Sequence, residues 1–94
     1  MKSEITHDFL KNLQPLPKDI REQVRQNFRL FQENPDEPDL HFRPLQGTNL
    51  YSIHIGSAYR ALGIRSGNVV IWFWIGTHAG IVETGFGNLK FIGI

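Results

Sequence analysis

The stretch Tyr59–Ile75, YRALGIRSGNVVIWFWI, decides the fold, because it holds two strand-like runs with a short break between them. Aliphatic, β-branched and aromatic residues are concentrated in Tyr59–Arg65 and Val69–Ile75, as is typical of strands. The break, Ser66–Asn68, is far too short for a parallel crossover, which needs a dozen or more residues. The stretch therefore predicts an antiparallel hairpin.

Two further strand-like runs, Leu40–Leu45 and Leu50–Ile55, precede this hairpin. Their connections, Gln46–Asn49 and Gly56–Ala58, are equally short, so the four runs are expected to form an antiparallel meander. The residues before Thr6 can add a short edge strand.

The first third of the chain has helical spacing. Thr6 suits the N-cap of a short first helix that Pro15 stops. Pro17 suits the first position of a second helix, which should end near Asn34 because Pro35 follows it. This second helix carries one apolar stripe: Ile20, Val24, Phe28 and Phe31. We therefore predict an α+β fold in which two N-terminal helices pack on one face of a four-stranded antiparallel meander.

Composition indicates one domain, residues 1–94, with an apolar, glycine-rich tail at 81–94. The longest apolar run, Val69–Ile75, is much shorter than the roughly 20 residues of a membrane helix, so no membrane span is expected. The N-terminus does not resemble a secretory signal and there are no cysteines, which favours a cytoplasmic protein. The net charge of +1 is low for a protein that depends on phosphate contacts. The histidines are dispersed and no phosphate-binding glycine loop is present, so no metal or other cofactor is expected.

The register of the strands determines which side chains share a face. A two-residue turn at Ser57-Ala58 would pair odd positions of the second strand with even positions of the third. The side facing the helices would then carry Arg60 and an aliphatic row: Ile53, Ile55, Leu62, Ile64, Val69, Ile71, Phe73 and Ile75. The opposite face would carry a mixed, aromatic set: Ser52, His54, Tyr59, Ala61, Gly63, Val70, Trp72, Trp74 and His78. A bulge or a three-residue turn would reverse part of this assignment.

The aromatic face has two interpretations. The tail segment Phe86–Ile94, or a second copy of the chain in a homodimer, would cover it, since large exposed apolar patches are uncommon on monomers. Alternatively, Trp72, Trp74 and Tyr59 form a docking surface for a partner, or a stacking platform for bases.

Basic residues supply the other candidate sites. Arg21, Arg25 and Arg29 form a row along the second helix, which is either a solvated face or a contact for phosphates or an acidic partner. Arg43 and Arg60 lie inside strands, where an arginine is expected to have a carboxylate, phosphate or carbonyl partner. Together with histidine and tyrosine, such groups can perform acid–base chemistry on RNA.

Five motifs occur in a fixed order along the chain: RLFQENP (29–35), LHFRPLQG (40–47), YSIHIG (51–56), YRALGIRSG (59–67) and IWFWIGTHA (71–79). In this order they resemble the RelE/ParE superfamily of bacterial toxin–antitoxin modules, in the subgroup that shares a YRALG strand and a WFWIGSH strand. The resemblance covers roughly Phe9 to Ala79. It implies a compact toxin of helices against an antiparallel sheet, neutralised by a cognate antitoxin. Members of the family cut messenger RNA on the ribosome or inhibit DNA gyrase.

The resemblance also implies roles for particular residues. Tyr59 and Arg60 match the family's YR, whose arginine contacts the scissile phosphate in RNA-cleaving members. Arg43 lies in the strand where those members carry basic residues, and His78 falls near their second functional arginine. His54 stands where the subgroup usually has arginine.

The resemblance leaves two functional hypotheses. In the first, the chain is a toxin of a type II module that acts on RNA in translation, with Arg43, Arg60 and His78 as phosphate-binding and proton-transfer groups. In the second, it is a non-catalytic member of the same fold that inhibits gyrase by contact or only binds its antitoxin. The atypical tail at 81–94 lacks the tyrosine of the subgroup's usual ending, HADYDRLL, and this absence and the low net charge favour the second hypothesis. The retained Tyr59, Arg60 and His78 favour the first.

Overall fold

The predicted hairpin forms the centre of a twisted sheet in the computed structural model, which describes residues 1–77, 79 and 90–91. Strand β4 (Tyr59–Ser66) pairs antiparallel with β5 (Val69–Thr77) on one side and with β3 (Leu50–Ile55) on the other. Strand β2 (Arg43–Gln46) pairs with the far side of β3, which completes the predicted four-stranded meander.

The meander is extended at both edges. The N-terminal strand β1 (Lys2–Ile5) pairs in parallel with β5, so the predicted edge strand is confirmed. On the other side, the two-residue strand β6 (Lys90–Phe91) pairs with β2, giving the order β1-β5-β4-β3-β2-β6.

Two helices precede the meander and cover one face of the sheet. Helix α1 (His7–Leu13) begins after Thr6, whose Oγ1 accepts a hydrogen bond from the Phe9 backbone N–H at 3.1 Å, as expected of an N-cap. Helix α2 (Lys18–Glu33) ends at the predicted place, while Pro17 is its cap residue and not its first helical residue. A 3-10 helix, Pro38–Leu40, follows in the acidic loop. The α+β class is confirmed, and no helix in the described part of the chain is long and apolar enough to cross a membrane.

The predicted register is wrong in the second half of the meander. The β3–β4 turn has three residues, with Gly56 at a φ of 62°, so that Ile55 pairs with Tyr59 and odd positions face odd positions. A bulge in β5 then shifts the pairing, since Leu62 lies opposite Trp74 but Gly63 lies opposite Trp72.

These two irregularities move several side chains to the other face. Ile53, Ile55 and Ile75 face the helices as predicted, and Ser52, His54 and Trp74 lie on the opposite face as predicted. Five residues lie opposite the helices, contrary to the prediction: Arg60, Leu62, Ile64, Val69 and Ile71. Five residues predicted to face away from the helices lie on the helix side instead: Tyr59, Gly63 and, within the buried core, Ala61, Val70 and Trp72.

Trp72 is the main correction, because it lies at the centre of the core. Its side chain is fully buried and its ring stacks on Phe28 at 5.4 Å and meets the edge of Phe31 at 5.6 Å. Its indole Nε1 donates to Ser3 Oγ at 3.1 Å. Gly63 makes room for the ring, since a Cβ there would lie 2.8 Å from Trp72 Cε3.

Candidate active site

A group of polar side chains lies on the sheet face opposite the helices. Arg43 of β2 is directly opposite Ser52 of β3, and His54 of β3 is directly opposite Arg60 of β4. Side chains that face one another across an antiparallel pair have Cβ atoms about 4.5–5.5 Å apart, so these residues form one patch. We call Arg43, Ser52, His54 and Arg60 the sheet-face cluster.

Three atoms of this cluster are buried without a hydrogen-bond partner in the described part of the chain: Ser52 Oγ, His54 Nε2 and Arg60 Nε. The rest of the Arg60 guanidinium is anchored, because its Nη1 donates to the Tyr59 carbonyl at 2.8 Å and to the Ser57 carbonyl at 3.3 Å. Leaving a buried polar group unpaired costs about 1–3 kcal/mol, so such groups call for a specific explanation. A hydroxyl, an imidazole nitrogen and a guanidinium N–H of one patch thus have unmet hydrogen-bonding capacity.

The electrostatic environment keeps His54 neutral. Burial, followed by the positive charges of Arg60, His41 and Arg43, lowers the pKa of His54 to about 4. Burial also lowers the pKa of Arg60, although a guanidinium stays charged at neutral pH. The cluster therefore presents a neutral imidazole, which can accept a proton, beside two cations, which can bind an anion.

The backbone carbonyl and the ring of His54 both have fixed partners. The Asn27 Nδ2 of α2 donates to the His54 carbonyl at 2.9 Å, and Gln23 Nε2 donates to Asn27 Oδ1 at 2.8 Å. The His41 ring stacks on the His54 ring, with the two ring centroids 4.3 Å apart. The position of His54 is thereby set by a helix on one side and by a second histidine on the other.

Among the residues predicted for a site, the structure brings together Arg43, His54 and Arg60. Trp74 shares their face of the sheet, opposite Leu62. Tyr59 and Trp72 do not lie on this face, because both pack with the core beneath the helices, so the predicted aromatic docking surface is wrong for these two residues. His78 and the tail segment Phe86–Ile94, apart from the backbone of β6, lie outside the described residues.

The arginine row lies away from the sheet-face cluster. Arg21, Arg25 and Arg29 are exposed on α2, on the helix side of the molecule. Arg21 donates to the Gln14 carbonyl at 3.1 Å. The expectation that Arg60 lies on the helix side is also wrong, because Arg60 pairs with His54 on the opposite face.

Three contributors were missed by sequence reasoning: Asn27, His41 and Ser52. Asn27 is three residues after Val24 and four before Phe31, so a polar residue interrupts the buried stripe of α2, and this was a usable signal. His41 would be opposite His54 if the pairing of Arg43 with Ser52 were continued by two residues, a signal that required the correct register. Nothing in the sequence distinguished Ser52.

The neutral state of His54 can be tested by following its ring resonances with pH. We expect a midpoint near pH 4 in the wild type, because of burial and the nearby cations. Arg60→Met should raise the midpoint toward 6.5, since it removes the largest charge contribution. In the unfolded chain His54 binds a proton near pH 6.5, whereas in the folded chain it does so only near pH 4. The fold should therefore lose stability as the pH falls from about 6.5 to about 4.

The matched control is Arg65→Met. Arg65 belongs to the same strand but lies over the Tyr51 ring on the other face, 5.6 Å from its centroid. This variant should leave the His54 midpoint unchanged. A wild-type midpoint of 6 or higher, or equal shifts in the two variants, would show that the cluster does not control His54.

Known proteins share the fold of this chain, and a family model matches its sequence. The chain belongs to the family of ParE-like toxin domains, whose model matches residues 18–80. It is thus a toxin domain of the RelE/ParE type. None of the curated proteins matches it in sequence.

Solved toxins share the fold at low sequence identity. The RelB–RelE antitoxin–toxin complex from Methanococcus jannaschii is similar with a TM-score of 0.72 and 20% identity, over 86% of this chain and 96% of that chain. The YoeB/ParE toxin from Agrobacterium tumefaciens gives a TM-score of 0.65 and 19% identity, over 83% of this chain and 99% of that chain. The intact E. coli RelBE toxin–antitoxin complex gives a TM-score of 0.62 and 22% identity, over 81% of this chain and 94% of that chain.

Proposed function

We propose that this chain is the toxin of a type II toxin–antitoxin module and that it cleaves messenger RNA in translation, with the sheet-face cluster as its active site. The observation that carries the proposal is the set of unpaired buried atoms, Ser52 Oγ, His54 Nε2 and Arg60 Nε, on one patch with a neutral imidazole and two arginines. An RNA phosphodiester would supply anionic acceptor oxygens, and the neighbouring ribose 2′-hydroxyl would supply a proton to remove.

The chemistry is cleavage through the neighbouring ribose hydroxyl. His54 takes the proton of the 2′-hydroxyl, and the 2′-oxygen then attacks the phosphorus atom. Arg60 and Arg43 stabilise the negative charge that grows on the phosphate oxygens, and Ser52 donates a hydrogen bond to one of them. The bond from phosphorus to the 5′-oxygen breaks, leaving a 2′,3′-cyclic phosphate and, after proton transfer to the leaving oxygen, a 5′-hydroxyl.

The leaving oxygen needs a proton donor. His78 is the candidate that the sequence offers, because it comes directly after β5 (Val69–Thr77) on the chain. Its role as general acid is part of the proposal. Since a base with a pKa of about 4 is already deprotonated at pH 5, the rate should not fall between pH 7 and pH 5 through protonation of His54.

A cognate antitoxin is the proposed partner in the cytoplasm, since similar solved structures include toxin–antitoxin complexes. An apolar groove between β1 (Lys2–Ile5), α1 (His7–Leu13) and α2 (Lys18–Glu33) is suited to such a partner. It is lined by Ile5 and Phe9, and Arg21 and Arg25 lie at it, so that an apolar segment with acidic residues would fit. Ile5 is 46% exposed there.

The alternative of gyrase inhibition by contact is distinguished by one experiment. The chain is expressed from an inducible promoter, the 5′ ends of cellular messenger RNA are mapped, and the purified protein is added to a gyrase supercoiling assay. We expect new messenger RNA ends that bear 5′-hydroxyls and no effect on supercoiling. His54→Gln should reduce cleavage by about 100-fold, since positioned proton transfer contributes about 10²–10⁴-fold.

His7→Gln is the matched control, because His7 is the first residue of α1 and lies far from the sheet-face cluster. It should cleave as the wild type does. Inhibited supercoiling with no new RNA ends would replace the proposed activity with gyrase inhibition, and full cleavage by His54→Gln would remove His54 from the mechanism.

A further inference from the structure

A polar groove adjoins the sheet-face cluster at the edge of the sheet. It has a volume of about 590 Å³ and lies between α2, the 3-10 helix and the β3–β4 turn. It exists because β2 begins only at Arg43, so that the end of β3 is paired with β4 on one side and has no strand on the other. On that second side the His54 carbonyl accepts a hydrogen bond from Asn27. His54 lines this groove and also belongs to the sheet-face cluster, so the groove and the cluster are continuous.

The groove has fixed and free polar groups. Gln23 and Asn27 are held by their mutual hydrogen bond and by the bond to His54. Gln26 and Asp39 also line the groove, and neither side chain has a hydrogen bond or ion pair within the part of the chain that the structure describes. One carboxylate and one amide are therefore available to a ligand.

The groove also has a flat aromatic group. His41 stacks on His54 with one face of its ring, at an interplanar angle of 22°, and His41 is otherwise exposed. Histidine rings are among the side chains on which unpaired RNA bases stack. A planar base in the groove would thus meet an aromatic ring and hydrogen-bonding groups at its edge.

The free groups select among the bases. An ionised carboxylate only accepts hydrogen bonds, and its two oxygens suit two adjacent donors. Guanine alone presents two neighbouring donors, N1–H and the N2 amino group, on its Watson–Crick edge, and the Gln26 amide can donate to the O6 beside them. We infer that this groove binds a guanine base next to the phosphate held by the sheet-face cluster, with Asp39 as its specificity-determining residue.

This inference rests on the proposed function for its biological meaning, but a binding measurement tests it separately. The whole chain is titrated with the four ribonucleoside 5′-monophosphates, followed by calorimetry and by backbone amide shifts. We expect GMP to bind at least about tenfold more tightly than AMP, CMP or UMP, because only guanine offers two adjacent donors to the Asp39 carboxylate. The shifts should include Gln26, Asp39 and His41.

Variants separate base recognition from phosphate binding. Asp39→Asn should reduce the GMP preference to less than about threefold, since an amide turns a donor toward the guanine donors. Asp36→Asn is the matched control, because Asp36 belongs to the same acidic loop but does not line this groove, and it should keep the preference. Arg60→Met should weaken the binding of all four nucleotides by the same factor and should leave the preference for GMP unchanged.

The possible failures can be told apart. Equal binding of the four nucleotides, no binding of any of them, or an unchanged preference in Asp39→Asn would each overturn the guanine site, whether or not the chain cleaves RNA. A GMP preference that depends on Asp39, in a chain that produces no new RNA ends, would uphold the site and contradict the proposed cleavage.

Discussion

Arg60→Met is expected to reduce RNA cleavage by about 100-fold or more, since removing one preorganised donor to a developing anion costs about 10²–10³-fold in rate. The variant loses the cation that faces His54 across the β3–β4 pair, together with the buried Nε–H that has no protein partner. Methionine retains most of the length and the apolar stem of the side chain, so the fold should persist. The measurement is single-turnover cleavage of a ribosome-bound messenger RNA by the purified chain.

Arg65→Met provides the control for this result. It makes the same chemical change five residues further along β4, on the face that carries Tyr51. Its cleavage rate should be within about twofold of the wild type, as for a surface substitution away from the site. Equal rates for the wild type and Arg60→Met, or equal losses in the two variants, would place the phosphate contact elsewhere.

Trp72→Ala is expected to lower the free energy of unfolding by about 3–5 kcal/mol, the usual cost of truncating a buried aromatic side chain. Trp72 has no exposed surface, packs against Phe28 and Phe31, and connects β5 to β1 through its hydrogen bond to Ser3. The total free energy of unfolding of a small domain is about 5–15 kcal/mol, so this loss would be a large part of it. Urea denaturation followed by circular dichroism measures this loss.

Trp74→Ala is the companion variant, two residues away on the other face of the sheet. Trp74 is only partly buried and is not part of the core beneath the helices, so the loss should be clearly smaller. A larger loss for Trp74→Ala than for Trp72→Ala would mean that the two tryptophans have been assigned to the wrong faces.

The elements were predictable because each depended on local chemistry. Thr6 as N-cap, the end of α2 before Pro35 and the hairpin around Gly67 follow from capping, proline sterics and short connections, and all three are present. The N-terminal strand was also anticipated, although its parallel pairing with β5 depends on tertiary packing that no local pattern encodes.

The sheet face on which each side chain lies was less predictable than the elements, because a single extra residue reverses the face of every residue that follows. The three-residue turn at Gly56 placed Trp72 in the core and moved Arg60 to the face of His54. The bulge in β5 reversed the faces again, which returned Trp74 and Ile75 to their predicted sides. The sheet-face cluster could therefore be anticipated only in part. Arg43, Arg60 and His54 stood out as polar groups within strands, whereas their assembly with Ser52 and His41 depended on the register.

The central claim is that RNA binds to the sheet face and not to the arginine row of α2. Its most direct test is an NMR titration of the chain with a short RNA in which 2′-deoxy sugars prevent cleavage. We predict amide shift changes at Ser52, His54 and Arg60, which are lost in Arg60→Met. Shift changes confined to Arg21, Arg25 and Arg29, with none on β3 and β4, would contradict it.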